Sequence, residues 1–210
     1  SAAKIKRYQE LYEAYLYNKD QSNAPKVLAM LNCDWIKINN QAIKASEYFP
    51  NYIPFDHVRF VDSVLIVDNA NQEFEAIKEV DIFTTAIVDQ RFKDRISDFI
   101  KDDKSTIRLD IDSYQPNHLT YSVKPSKNDQ LAVFSEIYYE KGWNAYIDGK
   151  IVPHFRANYV LRSMIVPSGT KKIEFKFEPE TFKTGENVAL ASSIILLLLL
   201  TFVSYKELKA

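Results

Sequence analysis

The sequence predicts an α+β protein: a mixed α/β unit over residues 1–105, an antiparallel, jelly-roll-like β-sandwich over 106–180, a linker at 181–187, a transmembrane helix at 188–205 and a cytoplasmic tail at 206–210. Three observations predict it. Apolar residues recur at helical spacing early in the chain. They alternate with polar ones late in the chain, between turn signals about ten residues apart. Val188 to Tyr205 is then a run of 18 uncharged, mostly apolar residues.

The early elements follow in order. Ile5, Tyr8, Leu11, Tyr12 and Tyr15 predict an amphipathic helix over 3–17. Ser22 or Asn23 can cap a second helix that runs to Leu31, and Pro25 suits its first turn. "DWIKIN" alternates and predicts a short strand, with Trp35 read as a core residue rather than a ligand. Val58 to Val67 reads as one strand. Asn caps open "NANQEFEAIKEVD", where Phe74 and Ile77 share a helical face. Thr84 to Asp89 predicts a strand and "QRFKDRISDFIKD" a helix.

From Ile107 the period changes to two. "TIRLDIDSY", "HLTYSVKPS", "QLAVFSEIYY", "NYVLRSMIVP" and "KKIEFKFEPE" predict strands. Asp148-Gly149 lies between two strand-like arms, a strong hairpin signal. Ser168-Gly169 marks a second turn.

The terminal run decides the broad class. An 18-residue helix rises roughly 27 Å, close to a hydrocarbon core of about 30 Å. The alternative is a core helix, but Ile194 to Leu200 is apolar all round and would need burial on every side. Lys206 and Lys209 follow the run, while Lys183 and Glu186 precede it. That bias predicts a cytoplasmic C-terminus and residues 1–185 on the outer face. The chain starts Ser-Ala-Ala rather than Met, as a fragment or a cloning scar would.

Other classes are excluded by composition. Lys and Arg number 27 against 28 Asp and Glu, with no long like-charge block, so no nucleic-acid partner is expected. The four glycines all follow residue 141, which excludes a phosphate-cradling loop earlier in the chain. A single cysteine, Cys33, and three scattered histidines give no metal pattern, and no cofactor is implied. A hydrolase could draw its paired carboxylates from Asp110 with Asp112, or from Glu136 with Asp148, but Asp110 and Asp112 sit at i, i+2 on a strand, where acids are ordinary on the wet face.

Two further classes of role remain. One is carbohydrate handling, with Trp143, Tyr146, Asp148, His154, Arg156, Asn158, Tyr159 and Arg162 as candidates within 20 residues of sequence. Against it, Trp143 and Tyr159 read equally as core, His154 as a loop residue, and the two arginines as ion-pair partners. Tyr146 has the outward parity, opposite to Trp143 and Ile147. The other role is structural: a cap on a membrane region or a protein-interaction surface, with no ligand of its own.

"LAVFSEIYYEKGWNAYIDGKIVPHFRANYVLRSMIVPSGTKKIEFKFEPETFKTGENVALASSIILLLLL" resembles the C-terminal end of the YfhO-type bacterial membrane proteins. "KVLAMLNCDWIKIN" and "FVDSVLIVDNANQEFEAI" are similar to the segments before it. The resemblance implies a polytopic membrane region upstream as the main partner, in the bacterial cytoplasmic membrane, with the bilayer contacted through Val188 to Tyr205. It also implies kinship with lipid-phosphate-sugar-dependent glycosyltransferases that decorate cell-surface polymers. Catalytic carboxylates would then lie upstream, and no catalytic residue is assigned in this chain.

Overall fold

A computed structural model describes residues 5–17, 22–96, 109–124 and 128–209. The boundary expected at 105/106 lies outside them, as do the end of the helix expected over 90–102 and the start of the strand expected from Ile107.

Two antiparallel sheets pack face to face. The first contains β6 (Leu109–Gln115), β7 (His118–Val123), β9 (Trp143–Ile147), β10 (Lys150–Val152) and β13 (Lys172–Phe177), in the order β10-β9-β13-β7-β6. The second contains β3 (Val58–Val61), β8 (Gln130–Ile137), β11 (Phe155–Ala157) and β12 (Leu161–Val166), in the order β11-β12-β8-β3. From β6 onward the chain crosses between the sheets at each of the connections β7 to β8, β8 to β9, β10 to β11 and β12 to β13. Leu119, Tyr121, Ala145, Ile173 and Phe175 of one sheet meet Ala132, Phe134 and Met164 of the other in a shared core.

The second sheet is buried on both faces. Along β8, Ala132 and Phe134 face the first sheet, while Leu131 and Val133 face a separate core. That is why "LAVF" is a continuous apolar run instead of an alternation. The second core is closed by the N-terminal elements. These are α1 (Lys6–Leu11), continued as a π-helix over Tyr12–Leu16, then α2 (Ala24–Met30), and a parallel pair β4 (Ser63–Val67) and β5 (Thr85–Asp89) joined through α4 (Ala70–Glu79). The Asn69 side chain caps α4 by accepting from the N–H groups of Asn71 and Gln72. After β5, residues Gln90–Arg95 form a 3-10 helix.

Several expectations change here. Val58 to Val67 is two strands, because Asp62 breaks the run and donates its N–H to Thr84. β3 therefore joins the sandwich through β8, while β4 joins the parallel pair. Trp35, expected in the core, is 60% exposed. Among the described residues its strand β1 (Trp35–Ile38) pairs with β2 (Gln41–Lys44) alone, and Lys44 lies above the indole ring. A four-residue helix, α3 (Ala45–Tyr48), follows.

The last helix, α5, runs from Glu180 to Leu208. Residues 181–187, expected as a linker, are helical, since Pro179 sits just ahead of the first turn and nothing after it interrupts the backbone ladder. Within α5, Thr184–Lys206 is long and apolar enough to cross a membrane, and among the described residues none of its side chains is buried.

Candidate functional site

The most connected polar cluster lies where α4 meets the turn between β11 and β12. Glu73 is on the same face of α4 as Ile77, one turn later, so it points inward and is fully buried. Its carboxylate accepts from Arg156 Nη2 at 2.9 Å, from the Tyr159 backbone N–H at 2.9 Å and from Arg7 Nη1 at 3.4 Å. Arg156, itself 6% exposed, also lies 3.5 Å from Asp89, which pairs with Arg91 at 3.2 Å.

A left-handed turn makes this reach available. Asn158 (φ 48°) and Tyr159 (φ 69°) both adopt a conformation that a tyrosine rarely takes. Asn158 is fully buried and stitches β5 to the turn: its N–H donates to the Ile87 carbonyl, and its Oδ1 accepts from the Ile87 N–H, both at 2.8 Å. Tyr159 donates its hydroxyl to Glu10 at 2.6 Å and lies under the Arg7 guanidinium. Burial and the Glu10 bond push its phenol up to about 12. Burial, then the neighbouring Arg156 charge, pushes the Arg7 guanidinium down.

Beside this cluster opens a cleft of about 330 Å³. Ile5, Arg7, Tyr138, Tyr139, Lys141 and Arg156 contribute to its walls. Chemically, the cluster is a buried ion-pair joint, in which Arg156 Nε and Asn158 Nδ2 have no partner among the described residues. The Glu73 oxygens are held by two guanidinium groups and an N–H, which suits holding two layers together better than moving a proton.

The other sequence candidates fall elsewhere. Arg162 is 1% exposed and shares inward parity with Met164 and Val166. Its guanidinium lies between the Trp143 ring at 4.4 Å and the Phe175 ring at 4.5 Å. Nη2 donates to the Ile137 carbonyl at 3.4 Å, while Nε and Nη1 have no partner among the described residues. Burial brings it down to about 10. His154 sits near the same end of the core, its ring against Tyr138 and Phe175. Burial, then the charges of Arg162 and Arg95, pushes it down to about 4.

Tyr146 and Asp148 lie on the outside. The Tyr146 hydroxyl donates to Glu178 at 2.7 Å, with Lys176 above its ring. Asp148 (φ 47°) and Gly149 (φ 82°) form the hairpin turn, and the Asp148 carboxylate accepts from the Lys172 N–H at 2.9 Å. The eight candidates thus occupy three places: Arg156, Asn158 and Tyr159 at the joint, Trp143, His154 and Arg162 between the sheets, Tyr146 and Asp148 on the outer face. Each is engaged by its own surroundings. Asp112 accepts from Ser122 and Glu136 from Tyr114. Among the described residues, no three His, Cys, Asp or Glu side chains could hold a metal ion.

Sequence reasoning passed over Glu73, Asp89 and Arg7. A signal for Glu73 existed: an acid four residues before Ile77, on the apolar face of a helix, needs a buried cation.

Comparison with known proteins gives two matches. The family model described as "Bacterial membrane protein YfhO" matches residues 73–189. A protein of Bacillus subtilis (strain 168), "Uncharacterized protein YfhO", is 30% identical over 90 residues, which is 43% of this chain and 10% of that protein. No solved structure matches.

Proposed function

This chain belongs to the YfhO family of bacterial membrane proteins, and we propose that residues 1–185 form an extracytoplasmic accessory domain of a polytopic member, anchored by Val188 to Tyr205 as a transmembrane helix. The observation that carries this reading is α5: a helix apolar on all sides from Val188 to Tyr205, whose described side chains are exposed instead of packed on the domain. Lys206 and Lys209 after the apolar run favour a cytoplasmic C-terminus. The whole protein is proposed to be a lipid-phosphate-sugar-dependent glycosyltransferase acting on cell-surface polymers, with its catalytic residues outside this chain. The role of this domain is architectural, a rigid cap on the membrane region. Support for that role is that Arg156, Asn158, His154 and Arg162 are spent on internal packing.

A carbohydrate-handling role has one observation in its favour. Tyr146 lies on the outer face of the first sheet, beside Asn144, Lys176 and Glu178, an aromatic among polar groups that can meet a sugar.

Paired reporters test the topology. A reporter after Ala210 is expected to be active only in the cytoplasm, and one in the Asp148-Gly149 turn only outside. Activity of both on the same side would sink the reading.

A further inference from the structure

The sandwich has two ends, and they differ. At one end three connections gather round the root of α5. The Glu178 N–H donates to the Gly142 carbonyl at 2.6 Å, and the Phe177 N–H donates to the Asn117 carbonyl at 2.9 Å. The third connection, residues 158–160, is tied in through the Tyr138 N–H, which donates to the Val160 carbonyl at 2.7 Å. Gly142 is packed so closely that an added Cβ would lie 2.7 Å from Phe177 and 3.2 Å from Pro179. These turns therefore move with the base of the helix.

Distance along the helix does the rest. α5 begins at Glu180 and its uncharged apolar run at Val188, so about 12 Å of helix rise separates the sandwich from that run. A headgroup layer is roughly 5–8 Å thick on each side of the hydrocarbon. The end of the sandwich is thereby held at the outer edge of the headgroup layer, close enough for long side chains on its turns to reach into it.

What this end exposes suits that layer. Tyr114 is 55% and Tyr139 41% exposed, Lys141 is exposed, and Ile5 beside Tyr139 is 40% exposed. Tyrosines place an apolar ring and a polar tip at such a boundary, and a lysine stem lies along it with its ammonium in the headgroups. The two turns of the far end, Asp148-Gly149-Lys150 and Ser168-Gly169, carry no aromatic residue.

We propose that the turn at 139–142, with Tyr114 and Ile5 beside it, is a bilayer-contact surface whose long side chains reach into the phospholipid headgroup layer. This rests on α5 spanning the membrane. The anchor would then hold the domain in a fixed orientation, with the cleft beside Tyr139 opening toward the lipid surface.

Spin labels test it in the 210-residue chain, placed in phosphatidylcholine vesicles containing phosphatidylglycerol. Labels go on Tyr139→Cys, Lys141→Cys, Lys150→Cys and Leu198→Cys, each in a Cys33→Ser background. The expected result is that labels at 139 and 141 lose most of their collisions with a water-soluble nickel complex relative to 150, yet remain open to oxygen. The label at 198 should be shielded from nickel and rich in oxygen. If 139 and 141 match 150 while 198 reports hydrocarbon, the contact surface is overturned and the span stands. Shielding of 139 and 141 from both reagents means protein contact, and also overturns it. A label at 198 that collides freely with nickel overturns the span and this proposal together.

Discussion

Glu73 and Arg156, 83 residues apart in sequence, are joined by a 2.9 Å hydrogen bond with neither side chain more than 7% exposed. The bond fastens α4 to the sandwich strand β11. Breaking one partner of such a pair strands a buried charge. Arg156→Ala or Glu73→Ala should each cost about 3–5 kcal/mol, read as a lower urea midpoint. Glu73→Leu with Arg156→Met should cost less than the sum of the single changes. A single variant with an unchanged midpoint would show that Arg7 and Asp89 compensate fully.

Two glycines separate strain from crowding. Gly149 (φ 82°) has open space where a side chain would go, so Gly149→Val should cost roughly 1–2 kcal/mol through backbone strain alone. Gly142 (φ 118°) adds a clash with the Phe177 ring. Gly142→Ala should therefore cost more than Gly149→Ala in the same unfolding measurement. Equal costs would mean that Phe177 gives way freely.

His154 predicts a pH dependence. As a base held down to about 4 in the folded chain, it stays neutral while the unfolded chain takes up a proton below its ordinary pKa of about 6.5. Its effect on stability is constant above about 6.5 and becomes steadily more unfavourable from there to about 4. The loss over that window is on the order of 3 kcal/mol. His154→Phe should remove this part of the slope when urea midpoints are compared near pH 7 and pH 5. An unchanged slope in that variant would assign the acid sensitivity to other groups.

Cutting the chain after Pro179 should leave a soluble domain with its cooperative unfolding intact. Among the described residues of Thr184–Lys206 none is buried, so removing the span should take away no core contact. Loss of folding on truncation, seen by circular dichroism, would make α5 part of the core.

Tyr146 should respond differently from Arg156. It lies at the surface, and its bond to Glu178 is its main polar tie. Tyr146→Phe is expected to change stability by less than about 1 kcal/mol. If the full-length protein is the glycosyltransferase proposed above, reduced product formation with a stable Tyr146→Ala would support sugar contact. Unchanged activity would leave the face as architecture.

Much of the fold was legible because its signals are local. The alternation in "KKIEFKFEPE" became β13, Asp148-Gly149 became the turn before β10, and Asn69 capped α4. What was missed depends on partners distant in sequence. β11 is only three residues long and takes its place from pairing with β12. The break at Asp62 is set by Thr84, and Trp35 is exposed because β1 and β2 have no third neighbour among the described residues. At the site, proximity in sequence misled: residues 146–162 alternate between outer face, inter-sheet core and joint, so neighbours along the chain point to different places. Arg162 was readable in part, since its parity with Met164 and Val166 turns a charge inward.

The position of β3 bears on how the chain folds. Val58 pairs with Phe134 and Val61 with Leu131, so the edge of the second sheet is supplied by residues made long before the strand that receives them. Between the two, the chain builds the β4–α4–β5 unit, which leans on the later turn at Asn158 through Ile87. Neither half can complete its own core first. Synthesis must reach β12 before the edge strand, its partner and the joint can close together. That topology has a high contact order, and it predicts slow, all-or-none folding late in translation, with the early segment unprotected until then.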